Sequence, residues 1–123
     1  TDVTHDTCSP LYNKKQQGDC KCGKGAVVTY GPAVQNNLLQ EIIGVAKAQE
    51  IAIQRNAVSR STGTDTDSFA YSGMGVASAL ISLPLKYMHT TVETVHMDDV
   101  NSCIQLMYYT VKKLQAGQTF NYI

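Results

Sequence analysis

Residues 76–83 read VASALISL, an apolar run with small residues and no regular alternation between polar and apolar side chains. A strand with one face in water would alternate, whereas a strand covered on both faces is apolar throughout. The run ends at Pro84, which cannot donate a hydrogen bond from its backbone nitrogen. These residues therefore predict a central strand in a sheet that is covered on both sides.

The segments before this run predict strands and helices in alternation. Residues 25–30 (GAVVTY) and 51–57 predict strands from their β-branched or alternating apolar residues. Residues 60–67 (RSTGTDTD) predict a loop, and residues 68–74 a short helix. Residues 35–49 predict a longer helix with Leu38, Leu39, Ile42, Val45 and Ala46 on its apolar face.

The last helix follows the loop that contains His89, and Asp98 is its predicted N-cap. Its predicted apolar stripe consists of Val100, Cys103, Ile104, Met107, Val111 and Leu114. With the opening residues as a first strand, the order is roughly β-β-α-β-α-β-α. This order predicts an α/β fold, with an open, mostly parallel sheet and helices on both faces.

Composition excludes several classes of protein. The chain has 123 residues, 43% of them hydrophobic, with ten basic and ten acidic side chains and no basic cluster. We therefore expect a globular domain or part of one, without a nucleic-acid partner or a membrane partner. The longest apolar stretch is about half of what a membrane span needs. The four cysteines lack a metal-binding or disulfide spacing, which favours reduced, structural thiols and a cytoplasmic location.

Several possible metal-binding residues lie in or just after the predicted strands. Open α/β sheets bind small molecules and ions outside the carboxyl ends of their strands. The opening segment carries Asp2, His5 and Asp6, the polar loop carries Asp65 and Asp67, and the segment after the central strand carries His89. Imidazole and carboxylate groups suit zinc, cobalt or manganese. The residues alone leave a simpler alternative open: a lone histidine is often structural, and Gly-Thr-Asp is a common turn.

Four segments resemble one family in sequence and in order. The chain contains GTD at residues 63–65, ISLPLKYMH at residues 81–89, TDVTHDTCSP at its start and CGKGAVVTYGP at residues 22–32. The corresponding family patterns are a GTD loop, "ISIPLRYMHS", "VDVTHATDxP" and "LGKGPVI". On these motifs the chain resembles the tetrahedral (glutamyl, deblocking) aminopeptidases, dinuclear metallopeptidases whose relatives often carry the label cellulase or endoglucanase.

The resemblance implies that His89 binds one metal ion and Asp2 the other, with Thr64 and Asp65 beside the substrate. It implies zinc or cobalt, a peptide substrate and a homo-oligomer. The remaining ligands and the general-base glutamate belong to the family's preceding half, so no catalytic residue is assigned here. Residues 1–116 would be the C-terminal part of the catalytic domain and residues 117–123 a tail. The chain departs from the family patterns at Lys86, Thr90 and Cys8, and at Thr66 and Asp67 after the GTD motif.

The resemblance thus predicts that the chain is the C-terminal part of a metal-dependent aminopeptidase and that it is inactive without the N-terminal half. The residues leave two alternatives open. The chain could be a non-catalytic binding unit, or the glucanase label of its relatives could apply. Glycosidases canonically need two carboxylates that flank a sugar, which disfavours the second alternative.

Overall fold

The computed structural model describes residues 1–120, and five strands and four helices lie within them. In chain order they are β1 (Asp2–His5), α1 (Lys14–Gln17), β2 (Ala26–Tyr30), α2 (Asn36–Ala48), β3 (Ile53–Ala57), α3 (Asp65–Ala70), β4 (Ile81–Lys86), β5 (Thr94–Val95) and α4 (Met97–Lys113). Residues 121–123, the last three of the predicted tail, lie outside the described residues. The division at residue 116 stays a prediction.

The strands form one open sheet in the order β1-β4-β2-β3, with β5 also paired to β4. Strands β1 and β4 are parallel over four residue pairs, and β2 and β3 are parallel over five. The β2–β4 and β4–β5 contacts are antiparallel and cover two residue pairs each. The predicted α/β fold with an open, mostly parallel sheet is confirmed, and the antiparallel contacts make the sheet mixed.

The two long helices share one face of this sheet. Buried residues of α2 and α4 form a single core with Ala26 and Val28 of β2 and Ile81 of β4. On the opposite face, the Gln54 side chain bonds the backbone of Lys21, and the connection from β1 to β2 covers the sheet. That connection carries the short helix α1, which has no buried residue, so long helices cover only one face of the sheet.

Strand β4 begins and ends later than the apolar run predicts. It spans Ile81–Lys86, whereas the predicted strand spans residues 76–83. The Leu85 carbonyl points towards β1 and accepts a hydrogen bond from the Asp6 amide. Backbone groups of successive residues in a strand point in opposite directions, so those of Pro84 point away from β1. On that side, β2 pairs with β4 only at Ile81 and Ser82. Residue 84 therefore needs no N–H group for this pairing, and a proline fits inside β4.

Helix α2 confirms its predicted apolar face, but α4 differs from its prediction in two ways. Its N-cap is His96 rather than Asp98, and the His96 side chain accepts a hydrogen bond from the Asp98 amide. Its buried residues are Asp99, Cys103, Leu106 and Thr110. Most of the predicted stripe is exposed, including Ile104 at 59% and Val111 at 69%. The buried side of α4 differs from the predicted stripe because it contains the polar residues Asp99 and Thr110, which a hydrophobic pattern does not detect.

One of these polar residues ties α4 to the start of β2. The carboxylate of Asp99 is fully buried and accepts hydrogen bonds from the amides of Gly23 and Gly25, at 2.6 and 2.7 Å. We call residues 23–25 the GKG turn. Both glycines have positive φ, at 81° and 95°, a conformation that side chains disfavour. The turn directs the chain into the central part of the sheet.

Candidate functional site

The parallel pair of strands β1 and β4 positions both predicted metal ligands. Asp2 lies in β1 opposite Ser82 of β4, and it shares a face of the sheet with that residue. One carboxylate oxygen of Asp2 accepts a hydrogen bond from the Val3 amide at 2.7 Å. The two strands run in the same direction, so their carboxyl ends, at His5 and Lys86, meet at one edge of the sheet.

His89 lies three residues beyond the end of β4, in a segment that we call the His89 loop (residues 87–93). The side chain is exposed, and φ of His89 is 63°. Tyr87 in the same loop has a φ of 58°. Both residues are thus in the left-handed region, which is uncommon for residues that carry a Cβ atom.

The strand register keeps Asp2 away from His89 along the strand direction. Asp2 is level with Ser82, and β4 continues to Lys86, four residues further on. At about 3.3 Å per residue this stretch of β4 alone is about 13 Å long. Residues 1–120 contain no group of three or more His, Cys, Asp or Glu side chains that could hold a metal ion.

A pocket of about 560 Å³ opens at the edge where β1 and β4 end. Its wall includes Met88 and Thr90, the two neighbours of His89 in the chain. The other wall contains His5 and Tyr12, whose Nδ1 and hydroxyl oxygen are 2.7 Å apart. The remaining lining residues are Asp6, Cys8, Ser9, Pro10, Leu11, Leu85, Lys86 and Tyr87. The pocket therefore combines apolar side chains with a few polar groups, as small-molecule sites commonly do.

Asp6 organises the connection behind this pocket. Its buried carboxylate accepts hydrogen bonds from the amides of Cys8 and Cys22, at 2.6 and 3.0 Å. Burial opposes ionisation, but these hydrogen bonds outweigh it and lower the pKa of the Asp6 carboxyl. Both oxygens are thus engaged within the chain, which leaves Asp6 poorly suited to metal binding.

All four cysteines are free, in agreement with the prediction of reduced thiols. Cys20 and Cys103 are buried, and Cys22 is partly buried. Burial and then the neighbouring Asp6 raise the pKa of the Cys22 thiol to about 12. A thiol with such a pKa stays protonated near neutral pH, which disfavours Cys22 as a nucleophile.

The two predicted substrate contacts lie at the start of α3. The Thr64 hydroxyl is the N-cap and accepts a hydrogen bond from the Thr66 amide, and Asp65 is the exposed first residue of the helix. The predicted loop 60–67 therefore ends at Thr64, and the predicted helix 68–74 spans Asp65–Ala70 instead. The predicted boundary is wrong because the polar composition of residues 60–67 indicates a loop, whereas Asp65 and Asp67 belong to the acidic first turn of α3.

Asp67 lies in the first turn of α3, and the sequence analysis did not predict its role. Its carboxylate accepts hydrogen bonds from the amides of Thr62 and Gly63, each at 3.0 Å. The Thr62 amide is the main reason for the lowered pKa of the Asp67 carboxyl. A sequence signal did exist, because a threonine followed three residues later by an acidic residue is the pattern of a helix N-terminus. Asp67 therefore shapes the loop that carries Thr64.

Comparison with known proteins places these features in a family. The family model described as M42 glutamyl aminopeptidase matches residues 1–106. The chain belongs to this family. It is 38% identical over 93 residues to the lysyl aminopeptidase of Pyrococcus furiosus, a match that covers 76% of this chain and 27% of that protein. The chain thus spans between a quarter and a third of the length of the relatives that it matches.

Solved structures agree with the M42 assignment. A TET aminopeptidase from the marine sediment archaeon Thaumarchaeota archaeon SCGC AB-539-E09 superposes with a TM-score of 0.82 at 25% identity, over 93% of this chain and 32% of that chain. A structure labelled peptidase/endoglucanase gives 0.72 at 35% identity, over 92% and 33%. PhTET1-12s, a dodecamer in its asymmetric unit, gives 0.70 at 27% identity, over 91% and 33%. The relatives thus include both aminopeptidases and a glucanase-labelled protein.

Proposed function

We propose that this chain is the C-terminal part of a metal-dependent aminopeptidase, in which His89 and Asp2 each bind one of two divalent metal ions. The observation that carries the proposal is the parallel pairing of β1 and β4. The pairing places the His89 loop at the edge where the pocket opens, whereas Asp2 lies at the other end of β1. The proposal for Asp2 therefore depends on its position in the family motif. The match to the M42 family over residues 1–106 supports the same assignment.

The chemistry of both ligands suits the proposed metal ions, but their number does not complete a metal site. Carboxylate oxygens and imidazole nitrogens are ligands of zinc and cobalt. A catalytic zinc site usually has three protein ligands, whereas residues 1–120 form no cluster of three candidates. We therefore expect the remaining ligands, and the glutamate that acts as general base, in a part of the protein outside this chain.

In the whole protein, bound metal ions would lower the pKa of a water molecule that attacks the peptide bond beside a free N-terminus. We propose that the pocket between β1 and the His89 loop forms one wall of the substrate site. Thr64 and Asp65 would contact the peptide from the start of α3. Asp67 supports this role indirectly, because it fixes the amides of Thr62 and Gly63 just before them.

Partners and location follow from the same assignment. The natural partner of this chain would be the N-terminal half of the same enzyme, and the whole enzyme would form a homo-oligomer. The dodecameric PhTET1-12s supports the oligomer. No helix within residues 1–120 is long and apolar enough to cross a membrane. We propose the cytoplasm as the location, because four free thiols suit a reducing compartment.

One experiment tests the metal ligands directly. A longer protein that contains this sequence should hold two metal ions per subunit, and His89→Ala should remove one of them and abolish the hydrolysis of aminoacyl chromogenic substrates. His96→Ala is the matched control and should change neither quantity, since His96 caps α4. Full activity and full metal content in the His89 variant would exclude His89 as a ligand.

The 123-residue chain supplies a second test. Because it would hold at most one ligand for each metal ion, it should not hydrolyse aminoacyl substrates in the presence of zinc or cobalt. Turnover that disappears on His89→Ala would show that the chain contains a complete site. The glucanase-labelled relative favours a second candidate function. Hydrolysis of cellodextrins but not of peptides by the longer protein would establish that candidate instead.

A further inference from the structure

The backbone of the His89 loop requires support from outside its own residues. Tyr87 and His89 both have left-handed φ values, of 58° and 63°, and both carry bulky side chains. Non-glycine residues keep this conformation only where surrounding contacts enforce it. Both side chains are exposed, so packing against a core does not provide that enforcement.

Hydrogen bonds within the loop provide it. The backbone amide of His89 donates to Oε1 of Glu93 over 2.6 Å. The hydroxyl of Thr90 donates to the Tyr87 carbonyl at 2.5 Å and accepts from the Val92 amide at 3.3 Å. The bond to Glu93 is short, as expected when the acceptor is a carboxylate. Glu93 therefore acts on His89 directly, whereas Thr90 acts on the residues around it.

We infer that Glu93 is a positioning residue that holds His89 in its left-handed conformation and thereby fixes the direction of its imidazole. This inference rests on the proposed function, in which that imidazole binds a metal ion. Glu93 acts through Oε1, which accepts the hydrogen bond from the His89 amide. Groups that hydrogen-bond the ring of a metal-binding histidine orient it, and their loss commonly weakens metal binding about tenfold to a hundredfold. Glu93 acts through the backbone amide of His89 instead, so we expect the lower end of this range.

The conformational part of the inference is tested in the 123-residue chain without metal. In Glu93→Ala, the strong intraresidue NOE between the amide and Hα protons of His89, which marks a positive φ, should be lost. Exchange of the His89 amide with solvent should accelerate about tenfold, the factor that corresponds to the loss of about 1.4 kcal/mol. Glu93→Gln keeps an acceptor oxygen and should retain both signals.

Glu41→Ala is the matched control, because it removes the same charge from a residue that pairs with Lys113, away from the loop. It should leave both His89 signals unchanged. An unchanged NOE in Glu93→Ala would overturn the inference. A glutamine variant that behaves like alanine, or a Glu41 variant that also loses the NOE, would overturn the hydrogen bond as its basis.

The metal part is tested in the longer protein by measuring zinc content and zinc affinity, independently of turnover. Glu93→Ala should weaken zinc binding at the His89 position at least about tenfold, and Glu93→Gln should restore most of the affinity. If His89→Ala leaves zinc binding unchanged, the proposed function fails, and the NMR result still decides the conformational role of Glu93. If His89→Ala removes zinc but Glu93→Ala does not weaken it, only the positioning role fails.

Discussion

The GKG turn and the His89 loop solve the same backbone problem with different residues. Each contains two positions with positive φ, and in each a carboxylate accepts hydrogen bonds from the backbone. Asp99 accepts two amides, at 2.6 and 2.7 Å, and Glu93 accepts one, at 2.6 Å. In the GKG turn both positions are glycines and the carboxylate, Asp99, is fully buried. In the His89 loop the positions are Tyr87 and His89, and the carboxylate is the exposed Glu93.

This difference indicates what each turn is for. Glycine adopts positive φ at little steric cost, so the GKG turn stores little strain and its buried bonds contribute to stability. A residue with a Cβ atom costs about 1–2 kcal/mol in the left-handed region. The His89 loop keeps two such residues, and strain of this kind concentrates at functional sites. The GKG turn therefore serves the fold, whereas the His89 loop serves the proposed site.

The largest effect is expected at Gly25. A Cβ atom there would lie 2.1 Å from the backbone carbonyl oxygen of Ala52, and φ is +95°. Because backbone atoms must move to relieve this clash, Gly25→Ala should lower the free energy of unfolding by about 4 kcal/mol or more, as measured by urea denaturation. Gly63→Ala is the control, since φ is +70° but no atom lies within 4 Å. It should cost only about 1–2 kcal/mol. Equal losses would refute the steric explanation.

The next largest effect is expected at Asp99. Asp99→Ala leaves the amides of Gly23 and Gly25 without their acceptor in a buried site, at a cost of about 1–3 kcal/mol for each amide. We expect a loss of about 2–6 kcal/mol in the free energy of unfolding. Asp99→Asn keeps one acceptor oxygen and should lose less. Glu93→Ala, in the exposed loop, should lower the free energy of unfolding by at most about 1.4 kcal/mol, because it removes one hydrogen bond. A loss at Glu93 as large as that at Asp99 would remove the distinction between the two turns.

The sequence predicted those parts of the fold whose signals are local. Strand β2 and helix α2 occur within about one residue of their predicted ends, because glycines and a regular apolar spacing mark them. The buried stripe of α4 was wrong because it depends on distant partners. Asp99 is buried by amides that lie 74 and 76 residues earlier in the chain. No window of sequence around α4 contains that information.

The site was less predictable than the fold. Spacing and residue type left His89 as one polar residue among several, and only the ordered family motifs singled out Asp2 and His89. Those two assignments, with Thr64 and Asp65, remain predictions. Neither the left-handed conformation of His89 nor its bond to Glu93 has a sequence signal, because both depend on how the chain leaves β4. Asp67 differs, since its spacing from Thr64 is a recognisable helix-start pattern.

The smallest expected effect concerns the strain in the His89 loop itself. Tyr87→Gly removes a side chain that is 60% exposed and relieves about 1–2 kcal/mol of left-handed strain. The greater freedom of glycine in the unfolded chain offsets about 0.4–1 kcal/mol of this gain. The variant should therefore be more stable by up to about 1.6 kcal/mol in urea denaturation. Tyr71→Gly is the matched control, because Tyr71 is 71% exposed but has a φ of −102°. It relieves no strain and should be destabilised. Destabilisation of both variants to the same degree would mean that Tyr87 carries no left-handed strain.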